Sequence, residues 1–321
     1  MRAEIGRLRS EVTNLQPFTQ FEGVTVNFRG YISMLDGKAI NAWTNNDATS
    51  RCRFCKLTPS EFRGKREFSF ELQVFEAIEN VAMAILHFGL RCIHHLMRLS
   101  CLQKANEHGE PSYRMCGPHK AAKKKAYDDH WQYLTEKIKK EKGILLEAPS
   151  PQGGTTTKGN DVKKLFSDPK YLSDTFEIDF TFTNEVKEAW ITLRCYLPLD
   201  SAKVKKKFHA IIDLYEALWP YAEMCATMHT ALAHTHEVID ELPPNLALGH
   251  MNEEPMESSH HLVKDFEVNR TPQKSREDRV KGVFQRMADQ SDPQILSIIE
   301  SRQRTLNPNN EPYPKGVLDL V

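Results

Sequence analysis

The organisation of this chain depends on the stretch Met228-His-Thr-Ala-Leu-Ala-His-Thr-His-Glu-Val-Ile239. His229 and His234 form an H-x4-H pair in an apolar background, and helical periodicity predicts that both imidazoles lie on one face of a helix. His236 is a rival ligand two residues further on, although that spacing suits a helical face poorly. Paired histidines at such spacing are typical of zinc sites.

A second pair of metal-ligand residues occurs far upstream, in Arg51-Cys-Arg-Phe-Cys-Lys56. Cys52 and Cys55 form a C-x2-C motif, and two thiolates with two imidazoles satisfy tetrahedral zinc. We therefore expect Cys52, Cys55, His229 and His234 to form one structural zinc site that joins distant parts of the chain. The alternative is a pair of free thiols, because the two motifs are much farther apart than in usual zinc fingers.

The composition indicates a soluble, intracellular protein. Lys plus Arg and Asp plus Glu both number 43 among 321 residues, so any contact with nucleic acid must come from local patches. The longest apolar stretch, near 81–90, is too short to span a bilayer, and the first residues lack a secretory signal. Seven cysteines argue against a disulfide framework. Core or surface positions are expected for the remaining five, Cys92, Cys101, Cys116, Cys195 and Cys225.

Hydrophobic periodicity predicts a mostly helical chain with little strand. Alternation over 23–35 indicates one strand, which alone cannot form an independent sheet. Residues 148–160 are rich in turn formers and predict a loop. Helices are expected at 71–102, 119–142, 161–166, 184–197, 201–218 with Ser201 as its N-cap, 253–266, and a short stretch ending near 288.

Two carboxylate positions stand out. Asp36 ends the predicted strand and is followed by glycine, a common place for a catalytic acid. Glu253, Glu254 and Glu257 share one predicted helix. The simpler interpretation is that these side chains are solvated surface, as most carboxylates are.

Together these motifs resemble the catalytic core of the V(D)J recombination-activating recombinase and of Transib-type transposases. Phe28-Arg-Gly30 before Asp36 is similar to the family's Phe-Arg-Gly before its second catalytic aspartate. The stretch 228–239 resembles the family's second zinc-ligand segment. Glu254-Pro-Met-Glu257-Ser-Ser-His-His261 resembles a Glu-x-x-Glu-Ser-x-Asn segment whose second glutamate is catalytic.

The resemblance implies an α+β, predominantly helical fold, in which a partial RNase H-like fold is interrupted by a helical zinc-binding insert. The expected domains are a partial RNase H-like segment at 1–50, the zinc-binding insert at 51–240, a catalytic-glutamate helix at 241–270, and a helical tail at 271–321.

The resemblance also implies chemistry. Asp36 and Glu257, with Glu254 as the fallback, would hold two Mg²⁺ or Mn²⁺ ions for DNA cleavage and strand transfer. Nuclear localisation, DNA as partner and a homodimer are expected. No Asp precedes Asp36, so we expect an N-terminally truncated gene product, or a decayed or co-opted transposase, that lacks the first acid and does not catalyse. The alternative is a non-catalytic, zinc-dependent DNA-binding or interaction protein derived from a domesticated transposase.

Local basic runs supply the candidate DNA contacts, since phosphate neutralisation dominates such affinity. Solvated helix faces are the competing interpretation, because acidic residues are interspersed. The runs are Lys120, Lys123, Lys124 and Lys125; Lys137, Lys139, Lys140 and Lys142; Lys203, Lys205, Lys206 and Lys207; and Arg270, Lys274, Arg276 and Arg279.

Overall fold

The computed structural model describes residues 18–21, 24–26, 51–52, 54–65, 85–112, 119–146, 157–242, 246–252, 263–271, 275–290 and 313–321. The chain forms two compact units. The first unit comprises Met1–Asn252 together with Lys315–Val321, and the second comprises Glu253–Pro314.

Two short strands pair near the start of the chain. Strand β1, Phe18–Phe21, runs antiparallel to β2, Val24–Val26, with Phe18 opposite Val26. Strand β2 falls inside the strand predicted over 23–35, and residues 27–35 lie outside the described part. A two-stranded ribbon has little stability of its own.

Helices make up nearly all of the first unit that the structure describes. They are α1 (Ile85–Asn106), α2 (Lys120–Lys142), α3 (Gly159–Phe166), α4 (Pro169–Phe176), α5 (Phe180–Leu193), α6 (Ser201–Leu218), α7 (Ala226–Glu241) and, near the end of the chain, the single turn α9 (Lys315–Leu318). Short 3-10 turns lie at Pro59–Glu61 and Leu248–Met251.

Helix α1 is the centre of this unit. It contacts α2, α3, α4, α5 and α7, and most of its residues are buried. A helix that is apolar on nearly every side is stable only when neighbours surround it. Gly89 allows α5 to approach α1 closely, because a Cβ there would come within 2.7 Å of the Trp190 indole nitrogen on α5.

Aspartates begin three successive helices. The carboxylates of Asp168, Asp179 and Asp200 each accept a hydrogen bond from a backbone N–H in the first turn of α4, α5 and α6. Such caps satisfy donors that the helix itself leaves unpaired. The prediction that Ser201 is the N-cap of α6 is wrong by one residue. The N-cap is Asp200, whose carboxylate accepts a hydrogen bond from the Lys203 N–H.

Helices α6 and α7 pack side by side, and α7 also lies against α1. This arrangement buries most of α7, including Met228, Leu232 and Val238, in the main core. The histidine stretch of α7 is therefore held on a rigid scaffold.

The second unit contributes a π-helical turn, Phe266–Arg270, and helix α8, Arg276–Gln290, which contact each other. The turn is held by an ion pair of 2.8 Å between Arg270 Nε and Asp265 Oδ2. Helix α8 agrees with the short helix expected to end near residue 288.

The predominantly helical class is confirmed. Helix α2 and α6 match their predicted ranges closely, whereas α4 and α9 were not predicted. In the part of the chain that the structure describes, no helix is both long enough and apolar enough to cross a membrane.

Candidate metal centre

The first half of the site is a tight turn around the two cysteines. The Lys56 N–H donates to the Cys52 carbonyl (N···O 3.0 Å), and the Cys52 N–H donates to the Leu57 carbonyl (2.9 Å). Lys56 adopts φ +61°, in the left-handed region that few non-glycine residues occupy. The turn brings the Sγ atoms of Cys52 and Cys55 within 4.8 Å of each other.

Helix α7 supplies the second half of the site. The imidazoles of His229 and His234 are buried, with their ring centroids 5.4 Å apart and their planes at 82°. Residues five positions apart on an α-helix differ by about 140° in direction. The two side chains therefore approach one point from different sides, and the prediction that they share one face of the helix is wrong.

The two halves meet, as the sequence predicts. One possible ligand atom from each of Cys52, Cys55, His229 and His234 lies within 4.8 Å of the other three. Cys55 Sγ lies 3.4 Å from His229 Nε2. This group can hold a metal ion. Among the described residues, no other group of three or more His, Cys, Asp or Glu side chains converges in this way.

Glu237 orients one of the histidines. Its Oε2 lies 2.6 Å from Nδ1 of His234, one helical turn earlier. With Nδ1 bound in this way, Nε2 is the nitrogen left to bind a metal. A carboxylate behind a ligating imidazole fixes the ring and increases its basicity.

Aromatic rings enclose the group. Phe62 stacks on His229 with a centroid distance of 3.6 Å and an angle of 2°, and Phe54 lies 5.2 Å from His234. Thr230 Oγ1 is 3.3 Å from Cys52 Sγ. These neighbours exclude water from the buried ligands and limit the rotation of the imidazoles.

The four side chains perturb one another electrostatically. Burial alone would raise the pKa of Cys52, but hydrogen bonds from Cys55, His229 and His234 outweigh it and hold that pKa well below its usual value. The hydrogen bond with Cys52, together with burial, raises the pKa of Cys55. Burial would lower the pKa of His234, whereas bonds with Cys52 and Glu237 raise it to about 9. The group thus shares protons that a bound metal would displace.

The cysteine turn is also tied to the scaffold next to α7. The Arg63 guanidinium donates to the carbonyls of Trp219 (3.0 Å) and Ala222 (3.2 Å), just after α6 ends. The Gly64 N–H donates to the Glu216 carboxylate (3.1 Å). Residues 54–65 therefore have several points of attachment that position the thiols.

The rival ligand His236 does not belong to the group. The ring of His236 packs edge-on against His209 of α6, with centroids 5.8 Å apart. Burial, with the negative charge of Asp128, raises the pKa of Cys101 to about 12, which keeps that thiol protonated. Cys92, Cys101 and Cys195 lie in the core, which is one of the two placements expected for them. Cys116 lies outside the described residues.

The predicted catalytic carboxylates Asp36 and Glu257, and the fallback Glu254, also lie outside the described residues. Two residues that support the group, Phe62 and Glu237, were not predicted from the sequence. The position of Glu237, three residues after a ligand histidine on a helix, was a usable signal. No sequence signal identifies Phe62, because its stacking on His229 depends on how the turn folds onto α7.

No protein-family model matches this sequence, and no curated protein is significantly similar to it. The conclusions about function therefore rest on the residues themselves.

Proposed function

We propose that Cys52, Cys55, His229 and His234 bind one Zn²⁺ as a structural ion. Two thiolates and two imidazoles are a common zinc donor set, with bonds of about 2.3 Å to sulfur and about 2.0 Å to nitrogen. Sulfur and nitrogen would then lie about 3.6 Å apart in a tetrahedron, close to the 3.4 Å between Cys55 Sγ and His229 Nε2.

Four protein ligands leave no open position for water or substrate, which is the pattern of structural rather than catalytic zinc. The ion would join the turn at 51–57 to α7. The single observation that carries this proposal is the convergence of the two ligand pairs, 174 positions apart in the sequence between Cys55 and His229.

Metal analysis of the purified protein tests the zinc proposal. We expect one zinc per chain, and loss of that zinc in Cys52→Ser. Cys225→Ser is the matched control, since Cys225 is a partly buried thiol that does not belong to the group. Protein that contains no zinc, or Cys52→Ser with an unchanged zinc content, would contradict the proposal.

We also propose that the zinc-held helices form a DNA-binding module of a transposase-like protein. The support is the resemblance of the segments around Cys52, His229 and Glu257 to that family, together with lysines on α2. Exposed side chains there can neutralise phosphates, the main source of affinity for DNA. They are Lys120, Lys124, Lys125, Lys139 and Lys140.

Fluorescence anisotropy with a duplex oligonucleotide tests DNA binding. We expect affinity that falls steeply as salt rises, with a shallower slope for Lys124→Glu/Lys125→Glu because phosphate contacts are lost. Lys170→Glu on α4 is the control, since Lys170 is exposed and paired with Asp174 at 2.6 Å. No binding by the wild type, or an equal loss in both variants, would argue against a site on α2.

DNA cleavage is the second candidate function. The resemblance around Asp36 and Glu257 supports it, and oxygen ligands suit Mg²⁺ or Mn²⁺. A nicking assay with either metal separates the two functions. Nicking that Glu257→Ala abolishes would support a transposase or recombinase that cuts DNA. DNA binding without nicking would support a non-catalytic module.

A further inference from the structure

The last residues of the chain return to the first unit after the chain has passed through the second. The turn α9, Lys315–Leu318, contacts α5, and the residues after it reach the start of α6. We call the surface formed by α5 and the first two turns of α6 the tail groove, and residues 315–321 the tail segment.

Two apolar side chains anchor the tail segment. Val317 is fully buried and Leu320 is 5% exposed, whereas the intervening Leu318 is 46% exposed. The spacing of three residues places both anchors on one side of a helical turn. Only one side of the tail segment is therefore recognised.

Backbone carbonyls of the tail segment supply the polar contacts. The Leu320 carbonyl accepts from the Asp200 N–H (2.7 Å), and the Val321 carbonyl accepts from Lys203 Nζ (2.9 Å). The Gly316 carbonyl accepts from Lys207 Nζ at 3.3 Å. The N-terminus of α6, which carries a partial positive charge, and two lysines of this helix thus bind backbone carbonyls of the tail segment. Backbone carbonyls are present in every peptide, so these contacts do not depend on sequence.

Gly316 lies against charged side chains of the groove. A Cβ at this position would overlap the Glu188 carboxylate, which is ion-paired with Lys207, but the end of this flexible side chain can move aside. The tail groove therefore selects two apolar residues three positions apart rather than a glycine.

We propose that the tail groove is a peptide-docking site that holds its own tail segment and can take the same segment from a second copy of this chain. Recognition through two apolar anchors and main-chain acceptors is a mode by which proteins bind linear peptides. The three hydrogen bonds and the two apolar anchors described above lie between the groove and residues 316–321, so they are the same whichever copy supplies the segment. Exchange of an identical element between copies is a low-cost route to a dimer.

The covalent connection between the tail segment and its own groove favours binding within one chain over binding between copies. The tail segment is tethered through Glu253–Pro314, so its effective concentration at its own groove is high. Binding within one chain prevails in dilute solution. Exchange between copies increases with protein concentration.

The test uses the full chain with a specific protease site inserted between Asn309 and Asn310. After cleavage, a fluorescent peptide of residues 313–321 is added and its anisotropy is measured. We expect the peptide to bind cleaved protein at least tenfold more tightly than uncleaved protein. A Val317→Asp peptide should lose binding at least tenfold, and a Leu318→Asp peptide should bind like the wild type.

Light scattering of the uncleaved protein over a hundredfold concentration range tests the second copy as occupant. We expect a dimer fraction that rises with concentration and falls in Val317→Asp relative to Leu318→Asp. A labelled peptide that never binds cleaved, helical protein would overturn the docking site, and so would unfolding upon cleavage. Peptide binding by a chain that stays monomeric throughout would overturn exchange between copies.

Discussion

Glu237 shows at the scale of single residues how one histidine of the candidate metal centre is oriented. Its carboxylate lies 2.6 Å from Nδ1 of the buried His234 and fixes the ring so that Nε2 is left for the metal. Loss of such a supporting carboxylate weakens metal binding by about 10–100-fold. We therefore expect Glu237→Gln to bind zinc about 10–100-fold more weakly than the wild type and to keep its fold.

Competition with a chromophoric zinc chelator measures this change. Glu241→Gln is the matched control, because Glu241 is an exposed glutamate on the same helix. An affinity of Glu237→Gln equal to that of the control would mean that the carboxylate does not support the ligand.

The residues of the candidate metal centre could be predicted from the sequence because metal chemistry restricts both residue type and spacing. Cys52 and Cys55 form a local motif, and so do His229 and His234. The tetrahedral donor set of zinc joined the two pairs, and the resemblance supported that prediction. Packing partners such as Phe62 could not be predicted, since many phenylalanines could stack on a buried imidazole and only the folded turn selects one.

Helix α6 offers a test at the scale of secondary structure elements. The Asp200 carboxylate accepts from the N–H of Lys203 at 3.0 Å, whereas Ser201 is already the first helical residue. Removal of an N-cap side chain costs about 1 kcal/mol. We expect Asp200→Ala to lower the free energy of unfolding by about that amount, and Ser201→Ala to leave it nearly unchanged.

Urea denaturation of the two variants measures the difference. The neighbouring alanines are matched in position and helix propensity, so only the capping bond separates them. A larger loss in Ser201→Ala than in Asp200→Ala would mean that the helix begins one residue later than the structure shows.

The long helix Ser201–Leu218 was predictable because its apolar residues recur at helical spacing over several turns, at Val204, Phe208, Ile211 and Tyr215. The short helix Pro169–Phe176 was missed, although Asp168 and Pro169 form a recognisable beginning. Eight residues carry little periodicity. Tertiary contacts with α1, α3 and α5 stabilise this helix instead.

The return of the tail segment to α5 and α6 is a property of the whole molecule that local patterns do not encode. Lys315–Leu318 is a single turn, far too short to be stable alone. Its conformation depends on contacts with residues more than a hundred positions earlier, such as Lys203 with Val321. The candidate metal centre also depends on the whole fold, because Cys52 and Cys55 are distant in the chain from His229 and His234.

Buried neutral histidines make the stability of the whole molecule depend on pH. His94 bonds to Thr157 and His95 bonds to Tyr215, each at 3.0 Å. Burial lowers the pKa of His94 to about 4, and the nearby charge of Arg91 adds to this effect. Burial likewise lowers the pKa of His95 to about 3, with a smaller contribution from the charge of Arg98. Between those values and the unfolded value of about 6.5, the unfolded chain binds more protons, so stability falls as pH falls.

Replacement of one of these histidines tests this linkage. Each histidine contributes up to about 1.4 kcal/mol per pH unit below pH 6.5. His95→Gln retains a polar side chain near Tyr215 but cannot titrate, so its free energy of unfolding should decline less steeply by about that slope. The comparison with wild type between pH 6 and 5, by urea denaturation, separates this effect from any acid response that the two proteins share. His108→Gln, which replaces an exposed histidine, should follow the wild-type slope. Parallel curves for His95→Gln and wild type would show that His95 is not held neutral by its burial, and that the acid response arises elsewhere.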